Sequence, residues 1–385
     1  MMQQENMQKE LLSYFKWFHK HPELSYQEVE TTIKIIDFLN ENKIEMLKSD
    51  LKTGVVALIR GKKAGPVIAL RTDMDALPIK EQSKVAYPSM VDGVMHACGH
   101  DFHMAVVMGA AKLLKEKEDE IEGTIKIIFQ PAEEAPGGAK VVLETGLLDD
   151  VRAYLGLHTT PELESGIMGL KSGAVMAAVD HFMITVRGQG THAAYPQKGI
   201  DPIVVSSAII QTAQSIISRN LDPFSPGLLS FTHIEGGNTW NVIPDTVFME
   251  GTIRSMSVSE RQFIKKRFEE VIVETAKAYA AIAEVKWREG PPPVTNDKDL
   301  YELAVKRANT DGFEVKKAAP SLGGEDFSYY LENTPGLFVR VGTGGGYAIH
   351  DPRFIADTQK LADISNYFAN LTLDFLDYIR ENSTI

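Results

Sequence analysis

Residues 53–75 read TGVVALIRGKKAGPVIALRTDMD: two short apolar runs parted by a Gly- and Lys-rich break, the second closing on Asp73 and Asp75. Each run is bounded by glycine and rich in Val, Ile and Leu, so both read as strands. Outward from this stretch the pattern alternates. AVVMGAAKLLKEKEDEI (105–121) has helical spacing, TIKIIFQ (124–130) reads as a strand, GGAKVVLETG (137–146) as a helix and RAYLGLH (152–158) as another strand. Such alternation specifies an α/β domain whose sheet is covered by helices, and ligands gather at the carboxyl ends of its strands. Asp73, Glu133 with Glu134, and His158 all stand where a predicted strand ends. Three separate pieces of sequence therefore point to one rim.

From about residue 178 the texture changes. HFMITVRG (181–188), GLLSFTHIEG (227–236), TVFMEGTIR (246–254) and AEVKW (283–287) read as strands. DPIVVSSAIIQTAQSIIS (201–218) and SERQFIKKRFEEVIVETAKAYA (259–280) read as helices. The order β-α-β-β-α-β is that of a ferredoxin-like α+β sandwich. Gly290 to Pro293 reads as a stiff linker. Beyond it the alternation resumes with DLYELAVKRANTDG (299–312) as helix, GLFVRVG (336–342) as strand and a closing helix over 357–381. The expected organisation is one α/β domain in two parts, 1–177 and 289–385, interrupted by an inserted sandwich at 178–288.

Composition restricts the function. With 385 residues the chain exceeds what one hydrophobic core usually serves, and 44% hydrophobic with 24% charged residues is ordinary for a globular protein. A net charge of -12 without a Lys/Arg block excludes the electrostatic footprint of a nucleic-acid binder. The first twenty residues have helical spacing and lack the apolar run of a signal peptide, and no eighteen-residue apolar window occurs. A cytoplasmic protein with no membrane partner is expected. One cysteine cannot form an internal disulfide, which leaves Cys98 available for chemistry.

MHACGHDFHMA (95–105) crowds Cys98, His96, His100 and His103 into one short segment. In an extended backbone Cys98 and His100, two apart, point to the same side and can grip one metal ion. A lone cysteine also packs as a small hydrophobe and a lone histidine as a hydrogen-bonded structural residue, so singly these positions leave both readings open. His96 and His103 belong with the structural reading, although His103 shares the face of His100 if the helix has already begun. IIFQPAEEAPGG (127–138) adds two adjacent carboxylates just after a strand that Pro131 stops. Adjacent side chains on such a turn diverge. Glu134 or Glu133 can hold a metal while its neighbour takes a proton from a water whose pKa the metal lowers to about 7. His158 in LGLHTTP and His350 in GTGGGYAIHDP are further candidates near the same rim.

RTDMDALPIKE, MHACGHDFHMA, FQPAEEAPGGA, LGLHTTP, GTHAAYPQKGIDPI, GNTWNVIPD, EGTIRS, GGEDF and YAIHDP follow one another over nearly the whole chain. In this order they resemble the amidohydrolase branch of the aminoacylase and carboxypeptidase G metallopeptidase superfamily. The resemblance implies a zinc-peptidase-like catalytic domain with a mixed sheet, and a role in lid closure and dimerisation for the insert. It implies a metal-dependent hydrolase that splits N-acyl amino acids, N-acetyl or N-benzoyl, into a carboxylate and an amino acid. Dipeptidase or carboxypeptidase action, or N-acetyl-diaminopimelate deacetylation, are the alternatives it carries. Position by position, it makes Cys98, His100, Glu134, His158 and His350 the ligands of two divalent cations, Mn2+ or Zn2+. Glu133 becomes the general base and Asp73 the carboxylate that orients a ligand histidine. Arg71 stands where other branches, aligned through Asp73, carry a histidine ligand. His192 matches the donor to the developing oxyanion, supplied by the partner subunit in dimeric relatives, and Asn241 and Arg254 match substrate-holding positions. A homodimer acting on a small molecule is the expected assembly.

Overall fold

The computed structural model describes residues 2–382. In chain order it holds α1 (Met2–Lys20), α2 (Val29–Glu41), β1 (Glu45–Met46), β2 (Val55–Arg60), β3 (Lys63–Asp73), α3 (His100–Glu116), β4 (Glu122–Gln130), α4 (Gly138–Leu143), β5 (Val151–Thr160), β6 (Met168–Leu170) and β7 (Gly173–Met176). There follow β8 (Ala178–Arg187), β9 (Thr191–His192), α5 (Pro202–Ser215), β10 (Gly227–Gly236), β11 (Val242–Ile243), β12 (Thr246–Ser255), α6 (Val258–Ala278), β13 (Ile282–Glu289) and β14 (Val294–Asn296). The remainder is α7 (Lys298–Thr310), β15 (Val315–Lys317), β16 (Gly336–Gly342) and α8 (Leu361–Asn382). The chain forms two compact units. One contains the residues up to Gly173, Thr295–Ala319 and the chain from Asp326 onward; the other contains Ala174–Val294 and Pro320–Glu325. Among the described residues no helix is long and apolar enough to cross a membrane.

The first unit is built on a mixed sheet in the order β1-β2-β4-β3-β5-β16-β6-β15. β3 runs parallel to both β4 and β5, and β16 parallel to β5. Helices cover both faces, so β4 and β5 are buried along almost every residue and read in sequence as apolar runs rather than as alternations. From β3 the chain goes to β4 on one side and then crosses to β5 on the other. The strand order therefore reverses at β3, and the crevice beyond its carboxyl end is where such a sheet takes a ligand. Asp73 ends β3, Gln130 ends β4, and His158 lies near the end of β5, all along this edge.

α3 begins at His100, five residues before the apolar periodicity becomes legible. Gly99, at φ 84, turns the chain into it, and polar His100, Asp101 and His103 hide the first turn from a hydrophobicity reading although all three are buried. α4, by contrast, is shorter than its sequence pattern.

The second unit carries an antiparallel sheet in the order β10-β12-β8-β13 with α5 and α6 packed on one face, a β-α-β-β-α-β arrangement. Here burial alternates residue by residue along β8 and β12, as expected of a sheet covered on one side only. Phe182, Ile184, Met249, Ile209, Phe268 and Ile272 form the centre of this core. Gly290 to Pro293 is not a free spacer: Gly290 N donates to Val179 O and Pro291 O accepts from Val179 N, which fastens the segment to β8. The short segment Pro320–Glu325 joins the same unit, with Ala177 N donating to Ser321 O.

Asp180 is fully buried at the start of β8 and takes a two-pronged hydrogen bond from Arg261 of α6, at 2.8 Å on each oxygen. Removing one partner of such a pair leaves a buried charge without compensation. Asp180→Ala is expected to cost about 3 kcal/mol in urea unfolding; a loss below about 1 kcal/mol would show that the pair is not a fastening of this unit.

Candidate metal centre

Pro131, without an N–H, stops β4, and Ala132 follows in the left-handed region at φ 55. That turn is locked from below. Ala132 N donates to Glu28 Oε1 at 2.8 Å, and Thr53 Oγ1 holds the other oxygen of the buried Glu28 at 2.8 Å. Glu133 N and Glu134 N then donate to the two oxygens of Asp75 at 3.1 and 3.0 Å. Asp75 also lies 3.2 Å from His100 Nδ1 and accepts from Ser25 Oγ at 2.7 Å. One buried carboxylate thus ties together the acidic turn and the first residue of α3.

Of five groups of ligand-capable atoms among the described residues, each within 4.8 Å internally, three hold the expected ligands: Cys98 with His100 and His158, Cys98 with Glu134 and His350, and His100 with Glu133 and Glu134. Cys98 Sγ is 3.3 Å from His158 Nε2, and Glu134 Oε1 is 3.2 Å from His350 Nε2. His158 Nδ1 donates to Thr159 O at 2.7 Å, which leaves Nε2 as a bare lone pair. All five expected ligands are therefore brought together. His350 adopts φ 66, a conformation that non-glycine residues take rarely, and its N–H is fixed to Ala97 O at 2.8 Å.

A pair of divalent cations fits this donor set. His100 Nε2 and Glu134 Oε1 are buried and form no hydrogen bond among the described residues; their nearest charged neighbours are Asp73, at 3.8 Å from the first, and His350, at 3.2 Å from the second. Burial tends to lower the pKa of His100, but Asp73 and Asp75 outweigh it and raise it to about 10. Burial, then Glu134 and Glu133, hold the Cys98 thiol well above its ordinary value, while burial and then His103 keep His158 neutral. Carboxylates crowd this pocket; a bound cation would relieve that surplus and favour the thiolate form of Cys98. The thiolate and imidazoles suit zinc; the carboxylate suits manganese.

Two further histidines lie beside the expected ligands, and one of them, His103, forms a ligand-capable group of its own with Asp73 and His100. His103 has both ring nitrogens engaged, Nδ1 with Asp73 Oδ1 at 2.7 Å and Nε2 with Thr159 N at 2.8 Å. His96 is buried, its pKa pushed down to about 4 chiefly by that burial, and it joins none of the groups.

The carboxylate that orients a ligand histidine is where sequence and structure differ. Asp73 was expected there. It binds His103 and the fully buried Arg71, whose Nη1 donates to it at 2.8 Å, and it lies 3.8 Å from His100 Nε2. The orienting bond to His100 Nδ1 comes from Asp75 instead. Its signal was present in RTDMD, since residues two apart in an extended segment share a side. Asp326, to which no role could be given from sequence, accepts Arg71 Nη2, Gln130 Nε2 and Ala139 N, each at 2.8 Å. Asp75→Asn is expected to weaken metal affinity about 10- to 100-fold, as loss of a support behind a ligand histidine does. Competition against a chelator measures it, and a change under about threefold would remove Asp75 from that role.

The remaining candidates lie in the second unit. His192 of β9 pairs with Val242 of β11, and Ala193 N donates to Asn241 O at 3.0 Å, so His192 and Asn241 are neighbours. Ala194 N donates to His192 Nδ1 at 3.0 Å, which places the ring proton on Nε2 and makes that atom a donor. Arg254 is not beside them. It pairs with Val179 near one end of β8, whereas the ribbon bearing His192 leaves from Arg187 at the other, about 26 Å along the strand.

A model of the peptidase family M20/M25/M40 matches residues 69–374. An N-acetyl-L-cysteine deacetylase of Bacillus subtilis is 45% identical over 376 residues, covering 98% of this chain and 90% of that protein. Thermostable carboxypeptidase 2 of Saccharolobus solfataricus is 39% identical over 352 residues, 89% of either chain. Among solved structures, the YXEP protein of Bacillus subtilis, described as a dinuclear metal-binding peptidase of this family, superposes with a TM-score of 0.90 at 42% identity, over 97% of this chain and 99% of that one.

Proposed function

The chain belongs to the peptidase family M20/M25/M40, and from that premise we propose that it is a two-metal amidohydrolase cleaving N-acyl amino acids to a carboxylate and a free amino acid. The observation that carries this is the pair of ligand groups sharing Cys98, with Glu133 and Glu134 set beside His100. When bound, the cations acidify the attacking water and polarise the amide carbonyl. Cys98, His100, Glu134, His158 and His350 hold them. Glu133 takes the proton of the water on its carboxylate and delivers it to the amine nitrogen as the C–N bond breaks. His192 donates from Nε2 to the oxyanion. Asn241 and Arg254 hold the substrate, the guanidinium on its free carboxylate.

The spacing along β8 supports a homodimer. His192 and Arg254 belong to opposite ends of one sheet, further apart than a small N-acyl amino acid spans, so a second copy supplies one of them. The compartment we propose is the cytoplasm, where a single buried cysteine stays reduced.

The likeness to a carboxypeptidase favours a second reading, peptide cleavage at the same centre. Initial rates of amino-acid release from N-acetyl amino acids, N-benzoyl amino acids and dipeptides, measured side by side on the metal-loaded protein, separate the two. Faster release from the N-acyl substrates is expected; a dipeptide preference reverses the order.

A further inference from the structure

Thr159 makes three hydrogen bonds at the candidate metal centre. Its carbonyl accepts His158 Nδ1 at 2.7 Å, its hydroxyl donates to Cys98 O at 3.0 Å, and its N–H donates to His103 Nε2 at 2.8 Å. One buried residue near the end of β5 therefore holds the ring of one expected ligand, on β5, and the backbone of another, in the turn before α3. The approach is close because residue 99 is glycine: a Cβ there would lie 2.8 Å from both Oγ1 and Cγ2 of Thr159.

Behind Thr159 stands a chain of buried groups with settled proton positions. A carboxylate only accepts, so the 2.7 Å bond from His103 to Asp73 puts the proton on Nδ1 and leaves Nε2 to receive Thr159 N–H. Arg71 Nη1 fixes Asp73, and Arg71 Nε and Nη2 are anchored on Gln130 and Asp326. β3 pairs with β5 only as far as Arg71 and Gly156, so this side-chain network takes over where the ladder between them stops.

We propose that Thr159 is a positioning residue of the metal centre, a clasp that holds the Cys98 and His158 donors at metal-binding distance, with His103, Asp73 and Arg71 as its anchor. The proposal rests on the assignment of Cys98 and His158 as ligands. Thr159→Val keeps the shape and removes the hydroxyl; Thr159→Ser keeps the hydroxyl.

The test measures Zn2+ affinity by chelator competition, and the thiolate-to-metal charge-transfer band of the Co2+-loaded protein, for both variants and the unmodified chain. A tenfold or greater loss of affinity with an altered band in Thr159→Val, and values within threefold of the unmodified chain in Thr159→Ser, are expected. Thr159→Val within threefold and with an unchanged band would overturn the clasp, as would a Thr159→Ser variant as impaired as Thr159→Val. An unmodified chain that binds Co2+ without a thiolate band overturns the ligand assignment, and the clasp with it. Should Thr159→Val not fold, Thr159→Ala lacks the same hydroxyl and is read in the same way.

Discussion

Glu133→Gln is expected to keep its full complement of metal while losing about a thousandfold in turnover, in the range that a positioned general base contributes. The side chain keeps its length and shape, and its main-chain N–H still donates to Asp75, so the acidic turn and its neighbour Glu134 stay in place. What disappears is a carboxylate able to accept the proton of the attacking water. Amino-acid release together with elemental analysis of metal content checks both halves. A variant retaining more than a tenth of the rate would give the proton transfer to another group, and one that loses its metal would make Glu133 a ligand.

Cys98→Ser is expected to lower metal affinity by a hundredfold or more and to release fewer protons on metal uptake, because a hydroxyl is a poor substitute for a thiolate toward zinc. The direction with pH follows from the groups themselves. In the metal-free protein His100 is raised to about 10 and the Cys98 thiol lies well above its ordinary value, so both carry protons near neutrality. Metal binding expels them, and affinity rises with pH. Calorimetric titrations with Zn2+ in buffers of different ionisation enthalpy count the protons. The unmodified chain should release one more than Cys98→Ser; equal counts would contradict the thiolate.

Much of the fold was legible because the two units bury their strands differently. β4 and β5, covered on both faces, appear as largely apolar runs interrupted by single polar residues such as Lys126 and Arg152, while β8 and β12 alternate, so the two units differ in texture. The start of α3 was not legible, because its first turn is made of metal-centre and hydrogen-bonding residues whose burial is secured by partners rather than by hydrophobicity. For Asp75 the alternation in RTDMD gave only its side of the chain, because its partners come from His100, Ser25 and the turn after β4, three places far apart in the sequence. Arg71 looked from sequence like a ligand position refilled by a cation. In the fold it is an internal counter-charge that ties Asp73 to Asp326, which lies 255 residues from Arg71 along the chain.

The most direct measurement is amino-acid release from an N-acetyl amino acid by protein stripped of metal and then titrated with Mn2+ or Zn2+. A two-metal amidohydrolase gives no release from the stripped protein and a rate that climbs to a plateau near two equivalents per chain. Full release from the stripped protein, or none at any loading with any acyl group, would contradict it.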